Sequence, residues 1–363
     1  MANASFAARR RRLVKLLRRE KLDALLATNS HNLYYLSGFR GEDSALLVAD
    51  GEAHLVTDSR FTEQAGQETR GVRIITRRKG LMRAAAEVAR RAGVGRLGIE
   101  SAAMTVAELE ELRRWTGKVQ VTPVRGLVER LRVIKDASEL AAIERAIAIS
   151  EEAFRLTVQR LAPGVSELEL ARLLDRTMEE LGAEQPGFET IVAFGERPSL
   201  PHARPSQRKL KRGEAVLFDW GARFQMYNAD LTRMAFLDRI APLYRRLHSV
   251  VLAAQRRAVR QVRSGRTAGA IDAVARNCLK AHRHGKHFGH SLGHGVGLDV
   301  HEAPTLARGQ KTVLRPGMVI TIEPGVYLPG EGGVRIEDML RVTHSGHVSL
   351  TSLPRSVGAF LVA

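Results

Sequence analysis

Val216-Leu217-Phe218-Asp219-Trp220-Gly221 runs apolar up to an acid, and eleven residues beyond that acid Asp230 stands in Ala229-Asp230-Leu231-Thr232-Arg233. An apolar run of this length bounded by glycine reads as a buried strand. The polar stretch between the two acids can reverse the chain, which sets both carboxylates on neighbouring strands facing one site. Burying two acids without a counter-charge is costly, and a divalent cation removes that cost. An Asp pair at this spacing also occurs on surface hairpins, so the pair needs company.

That company lies further along. Gly289-His290-Ser291-Leu292-Gly293-His294-Gly295-Val296-Gly297-Leu298-Asp299-Val300-His301-Glu302 places three histidines among glycines, which allow close backbone approach. The glycine spacing is not that of a dinucleotide fingerprint. Val319-Ile320-Thr321-Ile322-Glu323-Pro324-Gly325 and Gly333-Val334-Arg335-Ile336-Glu337-Asp338 repeat the pattern of an apolar strand ending on an acid. Four carboxylates and one imidazole, with no thiolate, suit two hard or borderline cations. Manganese fits that set best, and cobalt or zinc would also bind.

Around these segments the order is helices, strands, helices, strands. Asp136 or Ser138 opens a long helical pattern with Leu140, Ile143, Ile147 and Phe154, and Pro163-Gly164 ends it. Ser166 with Glu169 forms a capping box for a second helix to about Leu181. A further pair, 242–264 and 268–282, separates the two strand-rich segments, which suggests a duplicated α+β unit. Upstream, an amphipathic arginine-rich helix leads into Ala24-Leu25-Leu26-Ala27. Strands at 46–48, 53–56, 72–76 and 97–99 then alternate with helices at 81–92 and 106–115, an α/β unit of ordinary domain size. We place the boundary at 128/129, within the stretch 124–132.

The chain carries a net charge of +18, but 47 of its 57 basic residues are arginine, scattered along it. Aromatic residues are only 5% of the chain, which leaves little base-stacking material. With no zinc-finger, helix-turn-helix or RNP pattern, the charge reads as solvated surface, and no specific nucleic-acid partner is expected. No apolar run is long enough to span a bilayer. A single cysteine, Cys278, excludes an intramolecular disulfide and gives no reason to expect an oxidising compartment. The expectation is cytoplasmic.

Together the segments Phe218-Asp219-Trp220-Gly221, Ala229-Asp230-Leu231-Thr232-Arg233, Gly293-His294-Gly295-Val296-Gly297-Leu298, Ile322-Glu323-Pro324-Gly325 and Arg335-Ile336-Glu337-Asp338 resemble the M24 "pita-bread" metallopeptidases. The likeness is greatest to the Xaa-Pro peptidases, prolidase and aminopeptidase P. It extends to their creatinase-like accessory domain, through Tyr35-Leu36-Ser37-Gly38-Phe39 and Thr57-Asp58-Ser59-Arg60-Phe61. The resemblance implies an accessory domain over 1–128 and a catalytic domain over 129–363, the latter made of two pseudo-repeated helix–strand halves. It implies Asp219, Asp230, His294, Glu323 and Glu337 as ligands of two divalent ions, and a homodimer. His202, His290 and His301 match active-site histidines, with His301 at the scissile carbonyl. Tyr327 and Arg335 match positions near the acids. The implied reaction is hydrolysis of a trans X-Pro bond by water activated between the ions, with Glu323 carrying the proton.

Peptide length is the open point. Many prolidases carry an arginine four residues after the histidine matching His301, where this chain has Thr305, as aminopeptidase P does. Against that, Arg40 in Ser37-Gly38-Phe39-Arg40-Gly41 offers a guanidinium able to grip a dipeptide carboxylate. The balance leans to dipeptidase, with aminopeptidase P on longer peptides as the alternative. Methionine aminopeptidase, creatinase-like chemistry and an inactive nucleic-acid or partner-binding homologue are more remote, because all five ligand positions and the long accessory region are retained.

Overall fold

A computed structural model describes residues 2–363; Met1, at the head of the amphipathic stretch, lies outside the described residues. The chain divides into two compact units, the first ending at Arg132 and the second running Val133–Ala363.

In the first unit, Ala24–Ala27 sits inside a six-stranded sheet, with all four residues buried. It pairs antiparallel with Ala45–Ala49 and parallel with Arg96–Glu100. A strand buried on both faces reads as an unbroken apolar run rather than an alternating one, as this one does. Helices Leu81–Arg91 and Val106–Thr116 cover one face, packing Ala85, Val88, Ala89 and Leu112 against Leu26, Leu47 and Ile99. The segment around Tyr35 forms helix Ser30–Ser37, capped by the Asn29 side chain and ended by Gly38 in the left-handed region.

In the second unit, helices Ala137–Val158 and Glu167–Glu180 precede a four-stranded sheet. Helices Pro242–Val259 and Ala268–Ala281 precede a five-stranded one. The expected duplicated helix–strand order is the one observed. Asp136 caps the first helix in a capping box with Glu139, and Ser166 caps the second with Glu169. The apolar core joins Leu217, Met234 and Phe236 of the first sheet to Ile320, Ile322 and Leu340 of the second, through Leu247, Val251 and Ile271 of the later helices.

Strand Ala215–Trp220 pairs antiparallel with Leu231–Leu237, Asp219 lying opposite Thr232. Between them the chain reverses at Gln225-Met226, both at positive φ, as a two-residue hairpin turn requires. Gly221 lets the returning strand approach: a Cβ there would lie 1.8 Å from the Ala229 carbonyl oxygen. Trp220 points into the core instead of the site. Its indole stacks on Phe154 and its Nε1–H donates to the Ser150 carbonyl at 2.9 Å.

Candidate active site

Each half of the second unit delivers acids at strand ends. Asp219 lies on Ala215–Trp220 and Asp230 immediately precedes Leu231–Leu237. His294 is central in strand Gly293–Gly295 and Glu323 follows Val319–Ile322. Glu337 joins Gly332–Arg335 to Asp338–Val342. Gly293 lets the His294 strand close on its neighbour, since a Cβ there would sit 2.1 Å from the Thr321 carbonyl oxygen. All five side chains line one cavity of about 420 Å³, together with His202, His290, His301 and Arg335. Ligand atoms of Asp219, Asp230 and Glu337 lie within 4.8 Å of one another, and so do those of His294, Glu323 and Glu337.

The electrostatics of this cluster call for positive charge. Burial, and then repulsion from neighbouring acids, push Asp230 and Glu337 well above the usual carboxylate range. Burial raises Asp219 as well, against the pull of Arg335. Two buried oxygens, Asp219 Oδ1 and Glu337 Oε1, have no hydrogen-bond partner. Unpaired buried carboxylate oxygens cost free energy that a cation would recover. Burial also pushes Glu323 up, but hydrogen bonding to His294 and the cations around it bring it below its ordinary value. Burial opposes charge on His294, yet Glu323 and Asp230 raise it to about 9.

His294 Nδ1–H donates to the Gly295 carbonyl at 3.1 Å. That leaves Nε2 facing Glu323 at 3.1 Å and Asp230 at 3.5 Å. The second proton that its raised pKa describes sits where a metal ion would, and an ion would displace it. The donor set therefore fits divalent cations on its own geometry.

Around the acids runs a brace. Arg335 donates from Nε to Thr232 Oγ1 at 3.0 Å, from Nη1 to Tyr327 Oη at 2.9 Å and the Pro201 carbonyl at 3.2 Å, and from Nη2 to Asp219. Thr232 Oγ1 passes its own hydrogen to Glu337 Oε2 at 2.7 Å. His290 donates from Nδ1 to the Ser291 carbonyl, so Nε2 accepts from the Tyr327 hydroxyl, both at 2.8 Å. Burial lowers His290 and keeps the ring neutral, in accord with that tautomer. Tyr327 is buried, its phenol pushed up to about 12 by burial, and it stands behind the cavity wall.

His301 is open to the cavity, its ring 4.2 Å from that of His294. Partial burial and the His294 charge lower its pKa. His202 is exposed at the rim. Arg40 lies in the first unit, beyond Gly38, with its guanidinium 5.5 Å over the Tyr34 ring and its backbone N–H on Glu68. Thr232 escaped the sequence reading, although its place two residues beyond Asp230 put it on the same strand face. Thr321 escaped too; its hydroxyl accepts from the His294 backbone N–H at 3.1 Å.

Residues 141–344 match the model of Metallopeptidase family M24, and residues 9–134 match the Creatinase/Prolidase N-terminal domain. The chain belongs to metallopeptidase family M24. An M24 enzyme works with divalent metal ions, and the acidic cluster with His294 is where this chain can hold them. The Xaa-Pro dipeptidase of Pyrococcus horikoshii is 34% identical over 348 residues, covering 96% of this M24 chain and 97% of that one. The solved Xaa-Pro dipeptidase from Bacillus anthracis superposes with a TM-score of 0.95 at 34% identity, covering 98% of this chain and 100% of that chain. The X-Pro aminopeptidase from Thermotoga maritima MSB8 reaches 0.91 at 35%, covering 97% and 99%. These two solved relatives, one named a dipeptidase and one an aminopeptidase, resemble this M24 member to a similar degree, so overall likeness to them does not decide peptide length. No helix among the described residues is long and apolar enough to cross a membrane.

Proposed function

We propose that this M24 metallopeptidase hydrolyses the trans X-Pro bond behind an N-terminal residue, acting chiefly as an Xaa-Pro dipeptidase. The observation that carries the reading is the convergence of five ligand-type side chains and three histidines on one small cavity with apolar walls at Phe188, Ile191 and Val300. Its relatives' names point the same way.

Asp219, Asp230, His294, Glu323 and Glu337 would hold two ions, with manganese our choice for a set of four carboxylates and one imidazole. Bound there, the ions supply a Lewis acid and a nucleophile at neutral pH. Glu323, held ionised by its neighbours, is suited to accept a proton at a carboxylate oxygen and to return it to the departing proline nitrogen. His301, kept neutral, can donate an N–H to the scissile carbonyl oxygen as charge develops. His202 and His290 flank the substrate, while Tyr327 and Arg335 keep His290 and Asp219 in place. Asp219 faces the substrate amine, and Phe188, Ile191 and Val300 receive the proline ring.

The accessory domain is assigned to 1–128 and the catalytic domain to 129–363. A homodimer in the cytoplasm is the proposed state, to be checked by light scattering. The lean to dipeptides rests on Arg40, exposed on its loop and suited to a substrate carboxylate. Thr305, exposed on strand Glu302–Leu306, favours the alternative of longer peptides. The test is a length series, Ala-Pro against Ala-Pro-Yaa, with added manganese, cobalt or zinc. Wild type should prefer the dipeptide and Arg40→Ala should lose that preference. An unchanged ratio removes Arg40 from the argument, and no turnover of any Xaa-Pro peptide removes the function.

A further inference from the structure

The cavity has a cation at its mouth that the reading above does not use. Resting on that reading, we propose that Arg204, supplied by the catalytic unit itself, binds the C-terminal carboxylate of the dipeptide and thereby sets specificity for it.

A dipeptide brings a carboxylate into a cavity whose metal cage already holds four of them. Two divalent ions cancel those four and leave nothing to attract a fifth. Recognition therefore needs a cation beyond the cage. Two guanidinium groups line the cavity, Arg335 and Arg204. Arg335 is 3% exposed, and its donors are committed to Thr232, Tyr327, Pro201 and Asp219.

Arg204 is different. Its Nε pairs with Glu189 Oε2 at 3.4 Å, with the two side chains 84% and 66% exposed. An exposed pair of that length holds its partners weakly, so the guanidinium can exchange Glu189 for a ligand carboxylate at little cost. Its backbone, by contrast, is pinned. Arg197 Nη2 donates to the Arg204 carbonyl at 2.7 Å, and Arg335 Nη1 to the Pro201 carbonyl at 3.2 Å. The buried Glu167 anchors both ends of this loop, accepting from Arg197 at 2.8 Å and from the Ser206 backbone N–H at 3.0 Å. A fixed loop with one adaptable guanidinium, two residues beyond His202, is a specificity element on a rigid base.

The experiment compares Ala-Pro with Ala-Pro-amide, which lacks the carboxylate, on the metal-loaded full chain. Arg204→Ala should raise KM for Ala-Pro about three- to fivefold, the scale of an exposed ion pair, and leave kcat and the amide unchanged. Arg204→Glu should raise it further. A second readout needs no turnover: calorimetric binding of L-proline should weaken about three- to fivefold in Arg204→Ala, with L-prolinamide binding unaffected. Equal effects on acid and amide, or no effect on either, overturn the proposal. If the wild type cleaves Ala-Pro and the variants do not differ from it, this inference alone falls. If the wild type cleaves no Ala-Pro at all, the proposed function falls and takes this inference with it.

Discussion

Thr232 carries two charges' worth of geometry on one hydroxyl. It accepts from Arg335 Nε and donates to Glu337 Oε2, and it is fully buried. Thr232→Val keeps the shape and removes the oxygen, leaving a buried guanidinium N–H and a buried carboxylate oxygen unpaired. Such a loss costs about 1–3 kcal/mol. Because Glu337 would also lose its orientation, metal affinity should fall about 10–100-fold. Calorimetric titration of the metal-free protein with manganese checks the second figure. Unchanged affinity would show that Glu337 is oriented by its backbone alone. His248 lies on helix Pro242–Val259, among its buried residues. It is 5% exposed, and burial, with Arg233 and Arg256 nearby, lowers its pKa from 6.5 to about 4. In that window the unfolded chain binds the proton and the folded one does not. Stability therefore falls as the pH drops from 6.5 towards 4, by up to about 3 kcal/mol. His248→Gln should flatten that acid limb in urea melts recorded between pH 7 and 4.

At the scale of elements, the junction of strands Leu231–Leu237 and Asp338–Val342 is held by Arg233 and Asp338, both buried. Arg233 meets Asp338 at 2.7 Å and donates to the carbonyls of Glu337 and Leu353. Asp338 also accepts from Gln255 and Thr351. The network fixes the backbone on which Glu337 sits. Arg233→Met should destabilise by about 3–5 kcal/mol, since the partner carboxylate loses its strongest cation. Pairing it with Asp338→Leu should recover part of that loss in thermal melts; a double variant no better than the single would mean the pair is not coupled. Elements of this kind differ in how far they can be read from sequence. The strands ending on Asp219, Glu323 and Glu337 are legible because each is an apolar run that stops on a charge. The helices of the second unit are legible from Asp136, Ser166 and their glutamates. Helix Ser30–Ser37 is not, because its eight residues show no clear apolar period, although Asn29 is a ready cap. Arg204 and Thr232 are illegible for another reason. Thr232 acts through Arg335 and Glu337, far along the chain, and the place of Arg204 at the cavity is set by the fold of its loop, so no local spacing encodes either.

For the whole molecule, the proposed metal cage is a source of instability when empty. Asp219, Asp230 and Glu337 come from strands of both halves and are raised by burial and by one another. A carboxyl whose folded pKa lies above its unfolded value binds more protons when folded, so the metal-free protein loses stability as the pH rises through that interval. Ions bound there would reverse this, because they would favour the ionised carboxylates of the folded state over the unfolded chain. The gap in Tm between metal-loaded and chelated protein should therefore be small near pH 5 and widen towards pH 7. Calorimetry at the two values, with manganese and then with excess chelator, measures it. Asp230→Asn removes one of the raised acids, so the chelated variant should melt higher than the chelated wild type at pH 7 while binding metal more weakly. A chelated variant that melts lower than the wild type at that pH would mean that packing around Asp230, and not charge repulsion, limits the empty protein.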